Sequence, residues 1–166
     1  VVIDGALMTH SLSPMYRLLI LGAGDVAKFV AEMAIALEYD VMLCDPRPNY
    51  LDNWTVPGVE TTAQLPDDVV REHFSNPYSG IIALAHDPRV DDMALMEALK
   101  TNAFYIGAMG SVRTSAARRE RLPELGLSSD EIDRLHAPIG FQINSKTPAE
   151  IAIAVMAEIT SVRYQQ

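Results

Sequence analysis

The stretch that most restricts how this chain can fold is RLLILGAGDVA, residues 17–27. Five residues with no polar alternation read as a strand buried on both faces, which is the state of a strand inside a parallel sheet. The run breaks at Gly22-Ala23-Gly24, and apolar residues then recur at helical spacing through Val26, Phe29, Val30 and Met33. A buried strand passing at once into a helix calls for a crossover to another parallel strand. The turn also matches G-x-G-x-x-G/A in the strand-to-helix context which that pattern requires. Gly22 permits the tight turn, Gly24 lets a phosphate approach the backbone, and Ala27 allows close packing of helix on sheet. Free amides and the helix dipole favour an anion there. The same glycines also suit a plain tight turn with no ligand. Asp25, in the first helical turn, suits the helix start, but its charge would repel a phosphate placed beside it.

The remaining pattern repeats this alternation. DVMLC (40–44) is the next strand and ends at Asp45-Pro46, a loop runs from 46 to 58, and a short strand lies near Val59. GIIALA (80–85) and AFYIG (103–107) are further buried strands, with a helical pattern over 90–100 between them. Ser111 opens a helix that Pro123 and Gly126 limit. Ser128 with Glu131, and Thr147 with Glu150, are capping boxes, and Pro148 takes the first helical position of the last helix. Ile151, Val155, Ile159 and Val162 give that helix one apolar stripe. The expected class is α/β, three layers around a mostly parallel sheet. Residues 1–16 read as a linker or edge segment, and 17–166 as one domain.

At 166 residues the chain is long enough for a real core, and its net charge of −9 argues against nucleic acid or an anionic membrane as partner. Any anion site must be built locally. One cysteine, Cys44, rules out an internal disulfide framework. No apolar run reaches the length of a membrane span, and the expected location is the cytoplasm.

Ligands of such sheets bind at the carboxyl ends of the strands, and the candidate site residues all fall there. Asp45 stands where an acidic residue accepts hydrogen bonds from a ribose, and Arg47 is either a 2′-phosphate ligand or a solvated cation. His86 ends the third long strand as a proton donor, hydrogen-bond donor or metal ligand. Asp87, before Pro88, reads as a helix N-cap, with Asp91 and Asp92 complementing the dipole. No metal-ligand spacing accompanies these residues. Gly110, Ser111 and Arg113 form the next candidate: a glycine turn, a serine cap and a cation in the first helical turn, where only a nearby anion makes it favourable. Arg118, Arg119 and Arg121 read as surface residues. His136, ahead of the structured loop APIGFQINSKTP, either faces the pocket or is an ordinary packed histidine.

In this order LLILGAGDVA, DPR, AHDPRVDDMAL, YIGAMGS, RLHAPIG and TPAEIAIAVMAEI resemble the C-terminal Rossmann-type domain of the XdhC/CoxI family, from about Arg17 to Ile159. The glycine turn alone is unspecific; YIGAMGS, RLHAPIG and TPAEIA together are specific. The resemblance implies an accessory protein of molybdenum hydroxylases such as xanthine dehydrogenase. Such a protein binds the molybdenum cofactor, as molybdopterin or its dinucleotide form, protects it during sulfuration and delivers it to the apo-hydroxylase. It implies a chaperone rather than a catalyst, with the apo-hydroxylase as partner. A cysteine desulfurase is a further candidate partner, and exposed apolar helix faces suit a homodimer in every reading. The cofactor-binding residues would be Gly22, Gly24, Asp45, His86, Gly110, Ser111, Arg113 and His136, with no catalytic or metal-ligating residue assigned. The chain departs from the family pattern at Asp25, where many relatives carry His, and in GFQINSKTP, where GLDIGAxTP is commoner. Cys44 lies inside the Rossmann pattern and does not match the cysteine of the family's N-terminal domain. Two other readings stand beside this one: an NAD(P)-dependent oxidoreductase, resting on the glycine turn and Asp45, and a protein-interaction module with a vestigial nucleotide site.

Overall fold

The computed structural model describes residues 2–4, 7–9, 15–85 and 87–165. Strands β1 (Val2–Asp4) and β2 (Leu7–Thr9) pair antiparallel as a two-stranded sheet of their own. From β3 (Arg17–Leu21) onward strands and helices alternate: α1 (Asp25–Ala36), β4 (Asp40–Cys44), α2 (Pro48–Leu51), β5 (Glu60–Thr62), α3 (Pro66–His73), β6 (Ser79–Ala83) and α4 (Pro88–Ala98). Then come β7 (Tyr105–Ala108), α5 (Val112–Arg121), a 3-10 turn (Leu122–Leu125), α6 (Ser129–Asp133), β8 (Leu135–His136) and α7 (Pro148–Arg163).

The six strands β3 to β8 form one sheet, ordered β5-β4-β3-β6-β7-β8, and every pairing in it is parallel. The chain builds outward from β3 to β5, then returns to build β6 to β8 on the other side. This is the doubly wound dinucleotide-fold order, whose direction reverses between its first and fourth strands, here β3 and β6.

Alternate residues of each strand feed opposite cores, as the pleat requires. Leu19, Leu21, Met42, Ile81, Ala83 and Ile106 pack with Val69, Val70, Phe74, Leu95 and Leu99 of the α3 and α4 side. Leu18, Ile20, Val41, Leu43, Ile82 and Tyr105 pack with Ala27, Val30, Ala31, Val155, Met156 and Ile159 of α1 and α7. Small residues at Ala27, Ala31 and Ala34 bring α1 close to the sheet.

Both capping boxes form. Helix α3 lies beyond the expected elements, although Pro66 at its start, Asp67 and Asp68 in its first turn and Arg71 near its end are its start and stop signals. Strand β8 also lies beyond them; with two residues it has too little pattern to detect. No helix among the described residues is long and apolar enough to cross a membrane.

Candidate functional site

The glycine turn after β3 sits at the topological switch point. Gly22 has a φ of +99°, and a Cβ on it would lie 2.5 Å from the Ala85 Cα, two residues past the end of β6. Its role is therefore structural: only glycine lets the two strand ends meet. Gly24 differs. Its backbone is ordinary and extended, and a Cβ there would meet nothing within 4 Å among the described residues. The approach to the first turn of α1 is open, into a cleft of about 450 Å³ that Asp25, Lys28, Asn49, Tyr50 and Asn53 also line. Lys28 supplies a cation and Asp25 an opposing anion.

Asp45, at the carboxyl end of β4, is completely buried. Its Oδ2 accepts from the Ala23 amide (2.9 Å) and Arg47 Nη2 (2.7 Å), while Oδ1 accepts from the Arg47 amide (3.0 Å) and Arg47 Nε (2.8 Å). A carboxylate has about four lone-pair directions, and all are taken, so no acceptor is free for a ribose hydroxyl in this arrangement. Burial would raise the Asp45 pKa, but Arg47 and the two amides outweigh it and hold the carboxyl below its ordinary value. Arg47 in turn lies over the Tyr50 ring, 3.7 Å from its centroid. Asp45 and Arg47 thus form a strut that fixes the glycine turn through Ala23.

His86 lies outside the described residues. Asp87 caps α4 as expected, its side chain accepting from the Arg89 amide. Asp91 and Asp92 are a different matter from the dipole role expected of them. Both are buried, and Arg118 lies between them with its Nε 2.8 Å from Asp92 and Nη2 3.5 Å from Asp91. Arg121 also reaches Asp92, at 2.6 Å. Asp91 Oδ1 accepts from the Ala85 amide at 3.3 Å. Burial pushes the Asp91 carboxyl up to about 6, with Arg118 opposing the shift.

Arg118 and Arg119 correct the surface reading of the α5 arginines. Arg118 is 5% exposed and also donates to the Met109 carbonyl at 3.3 Å. Arg119 donates to the carbonyls of Ile132 and Leu135, tying α5 to α6 and β8. Arg113 is exposed. Ser111 is the N-cap of α5, its Oγ accepting from the Thr114 amide at 3.2 Å.

The turn at Gly110 faces the loop after β8. Together they form a groove of about 310 Å³ between Met109-Gly110 and residues 138–145. His136 is not part of its lining. It stacks on Tyr105, with centroids 4.6 Å apart, and its Nδ1 is 3.4 Å from Glu158 Oε1. Glu158 Oε2 accepts from the Tyr105 hydroxyl and from the Gly140 amide, the latter at 2.8 Å. Burial works to raise the Glu158 pKa; His136, Tyr105 and the Gly140 amide more than offset it, leaving the carboxyl below its ordinary value. The Tyr105 hydroxyl is pushed well up by burial and by Glu158. Nothing local marks Glu158, which stands in the midst of an apolar helix 53 residues from Tyr105.

The described candidate residues therefore share one edge of the sheet but not one cleft. Gly24 opens onto the cleft beside α1 and α2; Gly110 opens onto the groove beside the 138–145 loop. In the sheet, β6 lies between the strands that these two turns follow. Among the described residues no group of three His, Cys, Asp or Glu side chains is placed to hold a metal ion.

Residues 18–159 match the model of the XdhC Rossmann domain, and the chain belongs to that family. It is 31% identical over 153 residues to the molybdenum cofactor insertion chaperone PaoD of Escherichia coli K12, covering 92% of this chain and 42% of that protein. It is 27% identical to a probable xanthine dehydrogenase subunit of Bacillus subtilis 168, covering 92% of this chain and 44% of that one. The crystal structure of a xanthine dehydrogenase from Bacillus halodurans superposes with a TM-score of 0.78 at 27% identity, over 93% of this chain and 44% of the other. The chain spans less than half the length of these relatives.

Proposed function

We propose that this chain is the cofactor-binding domain of a molybdenum cofactor maturation factor, with residues 17–166 as the domain and 1–16 as a linker or edge segment. The observation that carries this reading is the contrast at the switch point. The turn at Gly24 is open to a phosphate, while the Asp45 carboxylate is already spent on Ala23 and Arg47. A phosphate-bearing ligand with no ribose in that position suits this arrangement better than NAD(P) does. The likeness to PaoD, named as an insertion chaperone for the molybdenum cofactor, supports the same ligand.

In this reading the Gly24 amide and the α1 N-terminus would hold the cofactor's phosphate, and Lys28 would offset its charge. The bound group would supply the metal and its sulfur chemistry to a hydroxylase. The chain's own residues bind, orient and shield it. The apo-hydroxylase and a cysteine desulfurase are the proposed partners.

The test is an anaerobic binding titration of the chain with molybdenum cofactor and, separately, with NADH and NADPH. Gly24→Val is the informative variant, because a Cβ at Gly24 meets nothing among the described residues and the fold is expected to survive. The expected result is cofactor binding by the parent, its loss in Gly24→Val, and no nicotinamide binding. Tight NAD(P)H binding without cofactor binding would replace this reading by the oxidoreductase.

A further inference from the structure

The groove beside the 138–145 loop differs chemically from the Gly24 cleft. Among the described residues its lining contains no charged side chain, in a chain whose net charge is −9. Met109, Phe141, Ile143 and Ile151 give it apolar walls, and Gln142 and Asn144 bring two side-chain amides to it. Each amide offers both donors and an acceptor. A phosphate gains little there. A flat, uncharged ring with alternating donors and acceptors on one edge gains apolar contact on its faces and hydrogen bonds along that edge.

The groove is also held rigid. The Ile139 amide donates to the Ala108 carbonyl (3.0 Å) and the Phe141 amide to the Ala154 carbonyl (3.2 Å). Gly140 is pinned by Glu158 at 2.8 Å, and its φ of +88° lets the loop lie on α7, where a Cβ would be 3.0 Å from the backbone of Ala154. At the other end Glu150 accepts from the amides of Lys146 (2.7 Å) and Thr147 (3.0 Å). Such prior fixing lowers the ordering cost of binding.

At about 310 Å³ the groove suits one fused ring system and not a dinucleotide. The turns at Gly24 and Gly110 follow β3 and β7, which only β6 separates. Two strand spacings put them roughly 10 Å apart across the sheet edge. A ligand with a phosphate at one end and a ring system at the other can bridge that gap.

We infer that the groove formed by Met109, Phe141–Asn144 and Ile151 is a ring-binding subsite for an uncharged bicyclic lactam, the pterin end of the cofactor whose phosphate lies over Gly24. The inference rests on the function proposed above and divides that ligand between two clefts. Lactam-edge chemistry is shared by guanine, so the test separates the two.

The experiment titrates the full chain calorimetrically with 6-hydroxymethylpterin, guanosine and inorganic pyrophosphate, and anaerobically with molybdenum cofactor. Parent, Gln142→Leu, Ile143→Asp and Gly24→Val are compared. Residues 142 and 143 are exposed, so these variants are expected to fold, which circular dichroism checks. The expected result is pterin binding by the parent, weakened about tenfold by Gln142→Leu and lost in Ile143→Asp. Gly24→Val should leave pterin binding unchanged while losing pyrophosphate and the whole cofactor. No pterin binding by the parent, or equal binding by the groove variants, overturns the subsite. Guanosine binding tighter than pterin, with the same dependence on Gln142, also overturns it. Whole-cofactor binding unaffected by the groove variants would sink the subsite and leave the proposed function standing; absence of cofactor binding in the parent would sink both.

Discussion

Replacing Arg118 by Met keeps most of the aliphatic length and removes the charge that separates two buried carboxylates. Arg118 is 5% exposed and Asp91 1%. Removing one partner of a buried ion pair typically costs about 3–5 kcal/mol, because the other charge is left uncompensated. Part of that cost is avoidable by protonation, and this gives the prediction its pH dependence. Burial already pushes Asp91 up to about 6 from an ordinary 3.8. The folded state therefore binds more protons than the unfolded state between those values. Stability falls as pH rises through that window, by about 3 kcal/mol in total. Arg118 is the main influence holding the Asp91 value down, so its loss moves the upper edge of the window higher. The variant should then differ least from the parent at pH 4.5, where Asp91 is mostly protonated in both folded states. The gap should widen to about 3–5 kcal/mol at pH 7.5. Urea unfolding at pH 4.5, 6.0 and 7.5, with linear extrapolation, measures it. A difference that is the same at all three pH values within about 0.5 kcal/mol, or one below about 1 kcal/mol at pH 7.5, would show that Asp91 is not an ionised partner of Arg118.

The two glycines of the first turn should behave in opposite ways: Gly22→Ala meets the Ala85 backbone and a positive φ, so it should cost at least about 2 kcal/mol, while Gly24→Ala should stay within about 1 kcal/mol in thermal melts. Glu158→Gln should loosen the groove loop, seen as faster hydrogen exchange at the Gly140 amide. Because the folded pKa of Glu158 is depressed, the stabilisation that its carboxylate gives is present above its unfolded value of 4.5 and lost as pH falls through the folded one, so the variant's deficit should shrink in acid. Cys44 is buried and its thiol is pushed up to about 12, chiefly by burial and then by Asp45. Iodoacetamide at pH 8 should therefore leave the native chain unlabelled and react only after denaturation, and rapid native labelling would contradict the burial.

What is legible in the sequence, and what is hidden there, follow from how far each signal travels along the chain. RLLIL, DVMLC and GIIALA announce buried strands within five or six residues. A helix cap or capping box closes within three or four, as at Ser111, Ser128 and Thr147. In an alternating α/β chain each strand-to-helix turn is such a local event, so much of the carboxyl edge can be drawn from the sequence, although α3 and the two-residue β8 lie beyond the expected elements. The side chains that meet across that edge are set by long-range pairs. Arg118 finds Asp92 from 26 residues away, and Glu158 finds Tyr105 from 53. On α5 the arginines look like a solvated face because the acidic partners of Arg118 and Arg121 sit on another helix. Asp45 shows the converse error. Its spacing from the glycine turn points to a ribose, yet the partner that fills it is only two residues on, and the choice between ligand and strut depends on the Arg47 side-chain conformation. Gly24 and Gly110 read alike in sequence, as open turns after buried strands. What distinguishes them is the loop that each faces: α2 with Tyr50 and Asn53 in one case, the charge-free 138–145 segment in the other. Turn chemistry therefore identifies where a ligand can approach, and the facing loop decides which part of the ligand that is.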